Sequence, residues 1–237
     1  MAKLMTLLVA AALLLGRGAR ADGDQLDAHI RAVLQKFGAD VDGMPPDFSA
    51  NVRAQRDAIL RGTDARVLLQ RKSQYWPMIS KQLSDRSLPP ELGYVVWVES
   101  DFEPGAKNTT SAGLWQFTAT TARRFGLRVD PTVDERLDPE KSTRAAADYL
   151  AKLMSEFGPE SFMLSLAGYN MGESMLRQSL QRVAQTQRGL RNAAHDFWHL
   201  WRMKLLSDET RSYVPRVIAA AVIGGHLDAY GFDASGR

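Results

Sequence analysis

The sequence contains no cysteine, which closes off disulfide staples, thiolate metal sites and lipid attachment through a thiol. An oxidising compartment is therefore allowed and not required. Long apolar stretches are also scarce. The one apolar run, Leu4 to Leu15, falls well short of the ~18–20 residues a membrane-spanning helix needs. Dense basic runs are missing as well. The net charge of +3 and the pI of about 9.2 favour an anionic partner, but the lysines and arginines are scattered through amphipathic segments, which speaks against nucleic acid. No recognisable repeat occurs, so a solenoid is excluded. Histidines number only four. Two of them, His195 and His199, stand one helical turn apart and imitate a zinc-protease helix. Asp196 replaces the general-base glutamate of that motif, and Phe197, Trp198, Leu200 and Trp201 look like packing, so no metal and no cofactor is expected.

What is present begins with an export signal. Lys3 precedes the apolar run, and Ala19-Arg20-Ala21 before Asp22 has the small-residue pattern of a cleavage site, although Arg17 is unusual there. Cleavage after Ala21 and a periplasmic location are expected. Residues 22–84 read as a helical arm. Leu26, Ile30, Val33, Leu34 and Phe37 keep a helical rhythm that Gly38 stops, and amphipathic helices follow over about 48–60 and 65–83, perturbed by Pro77. Tyr75 and Trp76 suit packing better than a sugar platform.

The second part, residues 85–237, opens at Pro89-Pro90 with a helix expected to run through Leu92, Val95 and Val96 to Glu99. Glu99 ends an apolar stripe, where desolvation would keep its carboxyl protonated near neutrality, as a proton donor to a glycosidic oxygen requires. The ordinary alternative is a helix-terminal glutamate in an ion pair. The polar segment Asn108 to Gly113 and the following Leu114-Trp115-Gln116-Phe117 suit a loop or short hairpin beside Glu99. Thr118 can cap a helix ending at Phe125-Gly126, and Asp138-Pro139 starts a long helix to Phe157-Gly158. A further helix from Glu160 ends at Tyr169-Asn170-Met171-Gly172, which by itself is more often a helix cap than a ligand site. Residues from about Ser179 to Ala194 read as a solvated helix or loop.

Glu99-Ser100, Gly113-Leu114-Trp115-Gln116, Thr120-Thr121-Ala122-Arg123, Tyr169-Asn170-x-Gly172 and Glu209-Thr210-Arg211-x-Tyr213-Val214-Pro215 follow one another in an order that resembles the soluble lytic transglycosylase family. The tryptophan of the second motif and the preceding arm are most similar to the membrane-bound lytic murein transglycosylase D branch. The resemblance covers about residues 66–224. It implies a mostly α, lysozyme-like domain whose groove binds alternating N-acetylglucosamine and N-acetylmuramic acid. It further implies non-hydrolytic cleavage of peptidoglycan to 1,6-anhydro ends, with Glu99 as the single acid and base. On the same grounds Ser111 and Gln116 would line the groove, and Tyr169 and Asn170 would position the reacting sugar. Glu209 would reach toward the stem peptide, Ser100 would support the helix end, and Tyr213 would shelve against the groove or simply pack. Gly168, Met171 and Ala119 depart from the family pattern. A hydrolytic muramidase remains open, with Asp101, Glu103 and Glu173 as loop or surface acids near the motifs. So does a non-catalytic wall-binding module. Peptidoglycan strands are the expected partner, with room for an envelope or secretion protein, and the chain is expected to be monomeric.

Overall fold

The computed structural model describes residues 23, 25–157, 162–186 and 197–232. The expected signal segment, Glu160, His195 and residues 187–194 of the solvated segment lie outside them. The described chain is mostly α, in agreement with the periodicities. Helix α1 occupies residues 25–36, followed by α2 (Pro46–Gly62) and α3 (Ala65–Ser84). Asp64 caps α3 by accepting from the amides of Arg66 and Val67, and Pro77 lies inside the helix without ending it. Among the described residues no helix is long and apolar enough to cross a membrane.

The expected helix from Pro90 to Glu99 is divided. A single 3-10 turn, Pro90–Gly93, precedes a short α4 (Tyr94–Ser100). The reason is tertiary. Gly93 is pressed so closely against α3 that a Cβ there would lie 2.8 Å from Ile79 Cγ2, and the tighter turn accommodates that approach. A two-stranded antiparallel hairpin follows, with β1 (Ser111–Ala112) paired to β2 (Phe117–Thr118) and Ser111 opposite Thr118. The Thr118 hydroxyl accepts from the Thr121 amide to cap α5 (Ala119–Arg124), as its sequence position implied. Then come α6 (Pro139–Phe157), α7 (Phe162–Met171), α8 (Glu173–Thr186), α9 (Phe197–Arg202) and α10 (Asp208–Gly225).

α10 is the axis of the fold. It packs against α2, α4 and α7, and nearly every residue from Tyr213 to Gly224 is buried. The apolar side chains of residues 26–83 join those of the later helices in one continuous core. Near its start and end the described chain is clasped by His29 and His226, whose rings stack 3.7 Å apart, and by a 3.1 Å hydrogen bond between His29 Nδ1 and the Tyr230 hydroxyl. The Trp76 ring centroid lies 4.5 Å from that of Tyr94, so Trp76 packs α3 onto α4, the packing role expected of it.

Candidate active site

Glu99 is the penultimate residue of α4, behind the fully buried Val95 and Val96. The helix ends because Asp101 turns left-handed, with φ 49° and ψ 38°, and Phe102 repeats the positive φ before the chain leaves. The Tyr213 hydroxyl, on α10, donates a 2.8 Å hydrogen bond to Glu99 Oε1. Burial pushes the Glu99 carboxyl up to about 7, against the pull of that hydrogen bond and of the Arg216 guanidinium, while the Glu209 carboxylate adds to the rise. Burial, together with the nearby Glu99 charge, also holds the Tyr213 and Tyr169 hydroxyls far above their ordinary range, so both remain donors.

The hairpin forms the adjoining wall. Ser100 Oγ lies 2.8 Å from the Leu114 carbonyl and 3.1 Å from that of Val96, which ties the end of α4 to the hairpin turn. Tyr169, from α7, donates to the Trp115 carbonyl at 2.7 Å, and Trp115 Nε1 donates to Thr143 Oγ1 on α6 at 2.9 Å. The turn closes through Gly113, where φ is +81° and a Cβ would fall 1.8 Å from the Arg136 carbonyl oxygen. Arg136 is buried behind the hairpin. Its guanidinium pairs with Asp134 at 2.8 Å and donates to the Phe117 carbonyl at 3.0 Å.

These contacts sort the residues singled out from sequence. Glu99 and Tyr213 meet directly, and Tyr169 is near enough for its hydroxyl to feel the Glu99 charge. Asn170 and Glu209 form a second pair at 3.1 Å, where the C-terminus of α7 meets the N-terminus of α10, and Thr210 donates to Asn170 Oδ1 at 2.7 Å. Gln116 turns its amide onto its own loop, donating to the carbonyls of Ala106 and Gly113, and accepts from Asn108. Ser111 Oγ lies 3.4 Å from the Thr110 hydroxyl, within hydrogen-bond reach of it.

Among the other acids, Glu103 pairs with Arg71. Glu173, expected on a loop or the surface, is instead buried between Arg124 at 2.8 Å and Lys152 at 2.6 Å; the cations of α5 and α6 offset its desolvation. Asp101 is exposed as a residue, yet burial of its carboxyl still raises its pKa against Arg216 and Arg71. Sequence reasoning missed Arg216; its signal was the three-residue spacing from Tyr213 on one helix. Among the described residues, no three His, Cys, Asp or Glu side chains converge as a metal ion would require, and His199 lies beside the packed rings of Trp198 and Trp201.

The sequence profile described as Transglycosylase SLT domain matches residues 77–191, a span that includes Glu99, the hairpin and the Tyr169-Asn170 corner. Residues 77–191, just under half of the chain, are similar to that domain. Membrane-bound lytic murein transglycosylase D from Escherichia coli is 34% identical over 158 residues, which cover 66% of this chain and 32% of that protein. Peptidoglycan transglycosylase gp16 from Escherichia phage T7 is also 34% identical, over 59% of this chain and 10% of its own. A solved structure of lytic transglycosylase Slt from Pseudomonas aeruginosa aligns over 65% of this chain and 24% of its own, at 28% identity and a TM-score of 0.49. The chain thus spans about a third of the length of the D-type relative. Helices α9 and α10, which bring Tyr213 to Glu99, lie beyond the matched SLT residues.

The pairing of Glu99 with Tyr213 gives a prediction of known sign. The hydrogen bond stabilises the carboxylate, so Tyr213→Phe raises the Glu99 pKa further above 7. A reaction that needs the protonated acid then keeps its rate to higher pH. The alkaline limb of kcat/KM should shift upward; a downward shift would contradict the assignment of Glu99 as the acid.

Proposed function

We propose that this chain is a peptidoglycan lytic transglycosylase that cleaves the β-1,4 bond between N-acetylmuramic acid and N-acetylglucosamine without consuming water. The observation that carries the reading is a carboxyl near pKa 7 within the residues similar to an SLT domain, gripped by a tyrosine that stays protonated. At neutral pH such a group exists in both forms, which a residue acting first as acid and then as base requires.

The chemistry balances with one carboxyl. Glu99 gives its proton to the glycosidic oxygen as the bond from that oxygen to the muramic C1 breaks, and the sugar's own acetamido oxygen bonds to C1. The Glu99 carboxylate then takes the proton of the muramic 6-hydroxyl. O6 attacks C1, the acetamido group is released, and a 1,6-anhydro ring closes with Glu99 reprotonated. Tyr213 holds the carboxyl in place through both transfers. Tyr169 and Asn170 position the sugar at the C-terminal end of α7, Ser100 fixes the end of α4, Ser111 and Gln116 contribute the hairpin wall, and Glu209 faces the stem-peptide side. The buried ion pairing of Glu173 and the pairing of Glu103 with Arg71 remove two candidates for a hydrolytic second carboxylate, and Asp101 is the group left for that role.

We further propose that residues 1–21 export the chain to the periplasm, that residues 22–84 are an arm buttressing the lysozyme-like domain of residues 85–237, and that the enzyme acts as a monomer on glycan strands. An envelope or secretion protein remains a candidate partner. Mass spectrometry of soluble products from purified sacculi tests the reaction. Anhydromuramic ends are expected; reducing ends would replace the lyase with a hydrolase, and absence of release would leave a binding module.

A further inference from the structure

On α10, Glu209, Tyr213 and Arg216 are spaced four and three residues apart and share one face of the helix. The 2.8 Å hydrogen bond from Tyr213 fixes that face against Glu99. The charged groups around this point are mostly engaged. Glu209 accepts from Asn170 on α7, Arg71 on α3 pairs with Glu103, and Tyr213 is given to Glu99. Arg216 differs: it is exposed and, among the described residues, makes no hydrogen bond or ion pair, while its charge is felt by Glu99, Asp101 and Tyr213.

Its position is chemically awkward for the acid alone. A guanidinium beside Glu99 favours the carboxylate, whereas the first step needs the carboxyl. The conflict is resolved if the cation is occupied when substrate is bound. We propose that Arg216 is a specificity residue that binds a carboxylate of the glycan strand, either the lactyl carboxylate of muramic acid or one on its stem peptide, beside the bond that Glu99 protonates. The inference rests on the lytic reading above. A planar guanidinium takes a carboxylate in two parallel hydrogen bonds. The bound anion cancels the pull of Arg216 on Glu99, so the acid holds its proton more firmly in the complex than in the free enzyme. A neutral glycan such as chitin provides no such compensation.

The test uses the full chain, wild type and Arg216→Gln, on three soluble strands: peptide-free strands with free lactyl carboxylates, the same strands with those carboxylates converted to amides, and intact peptide-bearing strands. Wild type should show a KM for the free-acid strands roughly tenfold or more below that for the amidated ones, the size of a lost charge-assisted hydrogen bond. In Arg216→Gln the ratio should fall to near one, and Arg216→Lys should recover part of it. If only the peptide-bearing strands keep the preference, the recognised carboxylate belongs to the peptide. With the cation gone, the alkaline limb of kcat/KM should also move to higher pH, which a purely structural role for Arg216 would not produce. A preference of wild type for either carboxylate-bearing strand that survives unchanged in Arg216→Gln overturns the inference, as does equal handling of all three strands by wild type. Cleavage of no strand by wild type would sink the lytic reading itself, and this inference with it.

Discussion

Glu99→Gln should abolish release of anhydromuramic products while making the folded protein more stable at alkaline pH. The amide keeps the shape of the side chain and can still accept from Tyr213, but it can neither donate a proton to the glycosidic oxygen nor take one from the 6-hydroxyl. Loss of general acid–base catalysis alone costs about 10²–10⁴ in rate, and here one residue serves both steps, so a fall at the upper end is expected. Product release from sacculi by mass spectrometry measures it. Activity within about tenfold of wild type would remove Glu99 from the mechanism.

The stability effect follows from the same burial. The carboxyl ionises near its ordinary 4.5 in the unfolded chain and near 7 in the fold. Below about pH 4.5 both states hold the proton and the group is neutral in its effect. Between 4.5 and 7 the unfolded chain ionises while the folded one does not, so the wild type loses stability as pH rises, reaching a constant penalty above 7. A fully realised shift of this size is worth at most about 3 kcal/mol, and partial access to solvent reduces it. Urea denaturation should therefore show Glu99→Gln close to wild type at pH 4 and more stable at pH 8. The opposite order would mean that the carboxyl is not desolvated.

Gly113→Ala should produce the largest structural loss. The added methyl would sit 1.8 Å from the Arg136 carbonyl oxygen and 2.7 Å from its carbon, both backbone atoms, at a φ of +81°. Relief requires the hairpin to separate from the segment behind it, and a cost of about 3–5 kcal/mol is expected. Gly126 is the control: it has φ +83° but nothing within 4 Å of a Cβ, so Gly126→Ala should cost only the ~1–2 kcal/mol of a left-handed alanine. Chemical denaturation separates the two. Equal losses would show that the backbone angle, and not the contact with Arg136, is what Gly113 serves. Activity should fall with Gly113→Ala beyond the loss of folded protein, because the same turn presents the carbonyls of Leu114 and Trp115 to Ser100 and Tyr169.

Much of the fold was legible where the determining contact is local. Thr118 caps α5 three residues away, Asp138-Pro139 opens α6, and Gly172, with φ +86°, follows the end of α7, all within one turn of the residues that announce them. The break at Gly93 was not legible, since it depends on how near α3 comes, and no periodicity encodes that distance. The site divides in the same way. Glu99 was singled out by the order of the motifs around it, and its burial was legible because the apolar stripe is contiguous with it. Its partner Tyr213 lies 114 residues on, and whether it packed or faced the groove waited on the packing of α10. Glu173 was misplaced because the cations that permit its burial come from two other helices. Arg216 carried no motif, only a helical spacing that gains meaning once Tyr213 is anchored.

The hairpin wall has a mechanical consequence. Its turn is held to α4 through Ser100, to α7 through Tyr169 and to α6 through the Trp115 indole, with Arg136 clamping it from behind. A surface fastened at so many points to separate struts is stiff, so it keeps its shape when any one fastening is cut, and only the loss of its turn frees it as a whole.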